Sequence, residues 1–365
     1  MAITRIGKPA IADVRGVNFR NIIINGDQSI AQRGTSTASL SSGANYGATD
    51  RFKLFGVTFG TWTMSQSTDV PTGQGFVSSL KMDCTTANGS LSSDSQAQIS
   101  QGIEGQNLQY IKKGTSNAES LTWSFWTKSN KTGTYICQIR DIDNSRSISK
   151  SYTISSADTW EKKIITFPGD TTGALDNNNE KSFEIRWWLV AGTDFTSGTL
   201  ATSWASETSA NNAVGQVNLA DSTSNEWYLT GAQLETGQVA SDFEFLPTDV
   251  NLERCQRYYY THVTGNNQHI GMGGYYASAY VTCGVTFPTT MRSAPSLEQT
   301  TGTEYYRLYV NNGSDNFDSF AAGIQQATTN SAGIDSNSGV SGTSGQTGRF
   351  VTYNSSSKIS FDAEL

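Results

Sequence analysis

Between Trp227 and Tyr260 the pattern of apolar residues changes period, and this change limits the fold more than any other stretch. The segment WYLTGAQLETGQVASDFEFLPTDVNLERCQRYYY opens with Trp227 and Leu229 at spacing two, and the same spacing returns at Phe243 and Phe245. Spacing two marks a half-buried strand. The reading is a strand, a glycine-containing turn and a second short strand that stops at Pro247. Past Pro247 the alternation gives way to Leu252, Cys255 and Tyr259 behind an N-cap at Thr248 or Asp249, which predicts one short helix. A β domain therefore occupies residues 21–246, a helical connector 247–260 and a second, smaller β domain 261–365.

Upstream the chain is almost continuous strand and turn. NIIING reads as a short strand ended by the turn dipeptide Asn25-Gly26. RFKLFGVTF, TWTMSQS, GFVSSLKMDC, LTWSFWTK, TYICQIRDI, SYTISS, WEKKIITFP and FEIRWWLVAG follow without intervening helices. Two packed antiparallel sheets are the economical way to bury that many strands, so the fold class is all-β. QAQISQGIEGQNLQYIKKG leaves a helical turn and a strand pair equally open. Residues 193–224, rich in Thr, Ser and Asn around Trp204, read as a long insertion loop. The second domain reads as a sandwich of four or five strands ending in KISFDAEL, with SAGIDSNSGVSGTSGQTG as a surface loop.

The chemistry is bounded mainly by what is missing. Charged residues make up 16% of the chain and the net charge is -7, which argues against general nucleic-acid binding. Cys84, Cys137, Cys255 and Cys283 form no CxxC pair and read as buried small hydrophobes. There is no GxSxG elbow, HExxH helix or phosphate-binding GxxxxGK loop, and no apolar run of signal-peptide or membrane-span length. The expectation is a non-enzymatic protein made in a cytoplasm that leaves the cell only as part of a particle, without membrane insertion. Same-face carboxylate pairs, Asp141 with Asp143 and Asp242 with Glu244, read as solvated surface. A glycan-cleaving alternative would have to draw on Asp315, Asp318, Asp335 and Asp362 in the second domain.

Strand parity selects candidate binding residues. In LTWSFWTK, Leu121, Trp123 and Phe125 share the core face, which turns Thr122, Ser124, Trp126 and Lys128 outward. In FEIRWWLV, Phe183, Ile185, Trp187 and Leu189 are core, and Glu184, Arg186 and Trp188 look outward. Gln138 and Arg140 join them if TYICQIR pairs nearby. A flat ring beside amide, guanidinium and carboxylate groups is what sugar recognition uses: the ring covers the apolar C–H face and the polar groups read the hydroxyls. Packing of Trp126 and Trp188 under the loop around Trp204, or against a neighbouring subunit, is the alternative. The run Tyr258–Tyr260 reads as packing between domains.

Four segments taken together, NIIINGDQSIAQRG, WYLTGAQLETG, DFEFLP and LERCQRYYY, resemble the tail-fibre-like and appendage proteins of bacteriophages, particularly marine phages. The resemblance covers residues 21–260 well and the remainder loosely, and its first domain is similar to jelly-roll carbohydrate-binding modules. It implies a virion structural protein of tail or capsid that displays its β domains for attachment to a host-surface polysaccharide, and a homo-oligomer, with a trimer preferred. A capsid decoration or fibre protein without adhesion, and a depolymerase, are the alternatives. Residues 1–20, with Arg5, Lys8, Arg15 and Arg20 against Asp13 alone, read either as a disordered tail or as an arm that anchors the chain on an acidic virion surface. Related jelly rolls often hold a structural calcium near their first and last strands, which points to Asp27 and Glu235. This chain reads LTGAQLE where the family carries paired aspartates, so a lost calcium site is as open as a kept one.

Overall fold

The computed structural model describes residues 19–311 and 313–365. In chain order the first strands are β1 (Ser36–Leu40), β2 (Gly43–Asn45), β3 (Lys53–Val57), β4 (Thr61–Ser67), β5 (Ser79–Thr86), β6 (Gln96–Glu104) and β7 (Leu121–Ser129). They continue with β8 (Gly133–Asp141), β9 (Arg146–Ile154), β10 (Glu161–Phe167), β11 (Lys181–Ala191), β12 (Ala205–Ser206) and β13 (Glu226–Thr236). These pair into a six-stranded antiparallel sheet, β1-β4-β5-β13-β7-β10, and a seven-stranded one, β12-β9-β8-β11-β6-β3-β2. The result is a β-sandwich of jelly-roll type. Its centre is aromatic because alternation aims the large rings of both sheets at one another. Trp123 of β7 and Trp187 of β11 meet across the gap with centroids 4.5 Å apart, and Phe125 lies 5.7 Å from Trp187. With Trp62 and Trp227 they are fully buried, each ring removing about 150–250 Å² from water.

The connector is α1's successor in the chain: α1 (Thr193–Thr196) belongs to the insertion and α2 (Thr248–Gln256) follows the first sandwich. Cys255 of α2 is buried with Ile24, Ile30 and Tyr258. Neither Thr248 nor Asp249 caps this helix. Pro247 holds the N-cap position without a side-chain bond, and Asp249 lies in the first turn.

The second unit consists of β14 (Tyr259–Thr264), β15 (His269–Ala277), β16 (Tyr280–Thr286), β17 (Ser296–Gln299) and β18 (Tyr306–Val310). After these come β19 (Gly313–Phe317), β20 (Gly323–Gln325), β21 (Ser331–Ser336), β22 (Thr347–Thr352) and β23 (Lys358–Asp362). A three-stranded sheet, β14-β23-β17, faces a seven-stranded one, β19-β18-β22-β15-β16-β21-β20. Phe287, Phe317, Phe320, Phe350 and Phe361 fill the space between them.

Three expectations are corrected. NIIING is not a strand: the Ile22 amide donates to the Leu234 carbonyl, the Ile23 amide to Asn21 Oδ1, and Ile24 bonds through both its amide and carbonyl to the Gln101 side chain. Side-chain amides take the place of a ladder partner, and Asn25 and Gln28 turn the chain at positive φ. Phe243 and Phe245 lie on an irregular segment after β13, packed with Phe76 at centroid distances of 5.1 and 5.1 Å. The stretch SAGIDS is strand β21, with Ile334 fully buried, so the surface loop begins only after Ser336. The open segment after residue 95 resolves as a strand followed by two 3-10 turns.

Side chains bind the two sandwiches into one unit. Glu364 pairs with Arg33 at 3.3 Å and with fully buried Arg51. Arg33 also pairs with Asp362 at 2.8 Å and lies over the Tyr259 ring at 3.5 Å, and Arg51 lies over Tyr258 at 3.4 Å. Glu104 receives Arg257 through two bonds of 2.7 Å and the Tyr258 hydroxyl at 2.5 Å. Burial pushes the Tyr258 phenol well above its ordinary value, so it stays a donor.

Candidate functional site

Strand β13 shows how a surface follows from a core. Trp227 and Leu229 face inward, which turns Glu226, Tyr228 and Thr230 to the outer face of the six-stranded sheet. Register then sets their neighbours. Tyr228 stands opposite Lys81 of β5 and Lys128 of β7, Thr230 opposite Trp126, and Trp126 opposite Lys162 of β10.

The charged groups hold the rings in place. Lys128 Nζ lies 4.3 Å from the Tyr228 centroid and pairs with Asp69, and Lys81 pairs with Glu226 at 2.5 Å. The Tyr228 hydroxyl donates to Glu226 at 2.6 Å. Trp160, with its centroid 6.0 Å from Tyr228, donates Nε1–H to Asp69 at 2.9 Å. Partial burial raises the Asp69 carboxyl, but hydrogen bonds from Lys128 and Trp160 outweigh it and hold the group below the usual carboxylate range. Glu226 is depressed in the same way by Lys81 and Tyr228.

Gly231 sits at φ +60 within a bulge of β13, where a Cβ would come within 2.6 Å of Phe76 and 3.1 Å of Trp126. Glycine lets those two rings close over the strand. The outcome is a face on which Trp126 and Trp160 stay half-buried among lysines, carboxylates and hydroxyls, while Tyr228 is buried against Lys128 and Trp160. That set can stack on a pyranose ring and read its hydroxyls.

The other candidates lie elsewhere. Trp126 is on the outer face of the six-stranded sheet, whereas Glu184, Arg186, Trp188, Gln138 and Arg140 are on the outer face of the seven-stranded sheet, across the core from it. They do not form one site with Trp126. Trp188 does not meet solvent: it is fully buried with Ile136 and Ala213 and packs on Phe195 of the insertion at 5.3 Å. Gln138 is equally buried, donating to Asn212 at 2.7 Å and accepting from Trp188 Nε1 at 3.3 Å. Trp204 packs on Phe183 instead.

Glu184 is the hub of a charge cluster, with Arg186 at 2.5 Å, Lys181 at 3.1 Å, Arg140 at 3.4 Å and Lys53 at 3.6 Å. Burial favours the protonated acid, but Arg186 and the other cations prevail and hold Glu184 far below its ordinary value.

The calcium expectation does not fit the donors. Asp27 accepts from Asn251 Nδ2 at 3.1 Å, while Glu235 lies farther along β13 and is taken up by Gln233, by the amide and hydroxyl of Ser241, and by Arg20 at 3.7 Å. Among the described residues no group of three or more His, Cys, Asp or Glu is placed to hold a metal. Arg20 also donates to the Ser241 hydroxyl at 2.7 Å and the Asp242 carbonyl at 2.6 Å, so it is committed to the first sandwich. Arg5, Lys8 and Arg15 lie outside the described residues. All four cysteines are free and buried, and among the described residues no helix is long and apolar enough to cross a membrane.

Parity identifies Tyr228 in EWYLTG and Lys81 in SLKMDC, since both stretches alternate as plainly as LTWSFWTK and FEIRWWLV. Trp160 precedes its strand, and nothing local ties it to Asp69.

No known protein family and no curated protein matches this chain. Among solved structures it is similar to the enzymatically active domain of bacteriophage CBA120 tailspike protein 4, with a TM-score of 0.31 and 15% identity over 60% of this chain and 22% of that one. A putative sugar-binding protein from Bacteroides thetaiotaomicron matches with a TM-score of 0.31 and 13% identity over 60% of this chain and 100% of that one. A xylan-binding domain from CBM 22 matches with a TM-score of 0.28 and 10% identity over 56% of this chain and 99% of that one. The fold assignment rests on the sheet order and core given above.

Proposed function

We propose that this chain is a non-enzymatic structural protein of a phage particle, a tail fibre or appendage, whose first sandwich contacts a host-surface glycan through the outer face of its six-stranded sheet. The observation that carries the contact surface is the half-buried pair Trp126 and Trp160, on the face where buried Tyr228 packs among Lys81, Lys128, Asp69 and Glu226. The virion role is supported by the segments quoted from residues 21–260. A non-catalytic role accords with the structural bonds that several of the candidate acids carry. Asp141 is buried against Lys113 at 2.5 Å, Glu244 accepts the Phe19 and Asn21 amides at 2.9 Å each, and Asp335 accepts from the Tyr280 hydroxyl at 2.9 Å. We take the assembly as a homotrimer, which light scattering of the full chain will check.

Binding to an array of bacterial surface polysaccharides tests the adhesive part. Trp126→Ala and Trp160→Ala should each weaken binding by about tenfold, the worth of one lost aromatic platform, with the melting temperature kept. Unchanged binding by both variants overturns the assignment of this face. Absence of the chain from the peptides of purified particles overturns the virion role.

A further inference from the structure

In the seven-stranded sheet of the second sandwich, Tyr306, Leu308 and Phe350 face the core, so Arg307, Tyr309 and Arg349 face away from it. Tyr309 stands directly opposite Arg349 across β18 and β22, and Arg349 opposite Met272 of β15. Arg307 lies on the next row of the same face, opposite Val351. Its guanidinium is 3.2 Å from the Tyr353 centroid and 5.4 Å from that of Tyr309, and the Arg349 guanidinium is 4.9 Å from Tyr309. Cation and ring alternate across the face as Tyr353, Arg307, Tyr309 and Arg349.

What sets this group apart is its charge. The arginines between the sandwiches, Arg33, Arg51, Arg257 and Arg292, all meet carboxylates. Arg307 and Arg349 meet none among the described residues, on a chain whose net charge is -7. Arg307 spends Nε on Asn316 at 2.6 Å and Nη1 on the Tyr309 hydroxyl at 3.1 Å, and Arg349 makes no side-chain hydrogen bond within the described residues. Stacking on a ring fixes the plane of a guanidinium; Arg349 keeps its N–H edge open, the geometry for bidentate capture of an oxyanion, and Arg307 keeps Nη2 to donate beside it. Met272 and Tyr353 remain 63% and 38% exposed beside it, giving an apolar bed for a ring bearing that anion.

We propose that this face binds an acidic polysaccharide, with Arg307 and Arg349 pairing with uronate carboxylates and Tyr309, Tyr353 and Met272 supporting the sugar rings. The site is separate from the face of the first sandwich and stands on charge where that one stands on stacking. Selectivity for an anion follows directly, because a neutral polymer leaves both cations as they were.

The full-length protein is titrated with polygalacturonate, dextran sulfate and neutral dextran. Polygalacturonate should bind, weaken as salt is added, and lose about tenfold or more in affinity with R307Q/R349Q, in keeping with the loss of charge-assisted bonds. R349K retains the charge without the planar fork and should fall between the two. Trp126→Ala is titrated beside it: a loss of polygalacturonate with Trp126→Ala and none with R307Q/R349Q assigns the polymer to the first face and overturns the proposal. The melting temperature of R307Q/R349Q confirms that it is folded. Equal binding of polygalacturonate by wild type and R307Q/R349Q overturns the proposal. So does binding of dextran sulfate with polygalacturonate ignored, which assigns the face to sulfate. A changed mass in solution for R307Q/R349Q with polymer binding unchanged overturns it as well, in favour of a contact between copies of the chain.

Discussion

The two outer faces of the first sandwich carry tryptophans at matching positions in the alternation, Trp126 on β7 and Trp188 on β11, and their surroundings are opposite. Trp126 remains half-buried beside Thr230 and Lys162, whereas Trp188 is sealed beneath residues 193–224 and tied through Gln138 to Asn212. Alternation assigns a side chain to one side of a sheet. Whether that side meets water depends on chain that arrives from elsewhere. An insertion after β11 therefore converts a candidate binding face into a second core, while on the six-stranded sheet Phe76 packs at Gly231 beside Trp126 and leaves that ring half-buried.

Five substitutions sharpen this contrast. Trp188→Ala should destabilise the protein by about 3–5 kcal/mol in urea titration, since it empties a ring-sized space under the insertion. A loss below about 1 kcal/mol would mean that the insertion is not docked. Glu184→Gln comes next. It leaves Arg186, Lys181, Arg140 and Lys53 without their shared anion and should cost about 2–3 kcal/mol, less than a fully buried pair because the cations keep some contact with water.

The pH dependence of that effect has a definite sign. The Glu184 carboxyl is depressed in the folded chain, so its contribution is complete above the ordinary glutamate value of about 4.3 and is lost as pH falls below it. Thermal melts from neutral to acid should therefore converge for wild type and Glu184→Gln, and parallel curves would contradict the cluster. Glu226 on the open face is depressed in the same sense, but water screens it, so Glu226→Gln should alter the acid limb less. Gln138→Ala removes one hydrogen bond from sheet to insertion, to Asn212, and one within the sheet, from Trp188, and should cost about 1–2 kcal/mol. The smallest stability change belongs to Trp126→Ala, about 1 kcal/mol or less, with its main effect on glycan binding.

Much of the fold is legible because burial enforces a period. Thr61–Ser67 is a strand as read, and Trp123, Phe125 and Trp187 are core because their strands alternate strictly. The failures occur where side chains replace the backbone ladder or where distant chain arrives. Ile22–Ile24 is apolar enough for a strand, yet its amides are satisfied by Asn21, Gln101 and Leu234. The sequence of β21, SAGIDS, is too poor in large side chains to announce a strand, and is drafted into the sheet by pairing with β16. The candidate site was half legible. Trp126 follows from parity, but Trp160 reaches Asp69 across 91 residues of chain, and the seal over Trp188 is equally remote from any local pattern.

The junction between the sandwiches also has a mechanical meaning. Glu364, two residues beyond the last strand, is clamped by Arg33 and Arg51 of the first sandwich, while Arg257 at the end of the connector helix grips Glu104. A pull on either sandwich is therefore shared by several ion pairs loaded in parallel, and α2 alone does not bear it. Separation under force would require these bonds to fail together, so the two units should resist traction as one body and yield first at their outer loops.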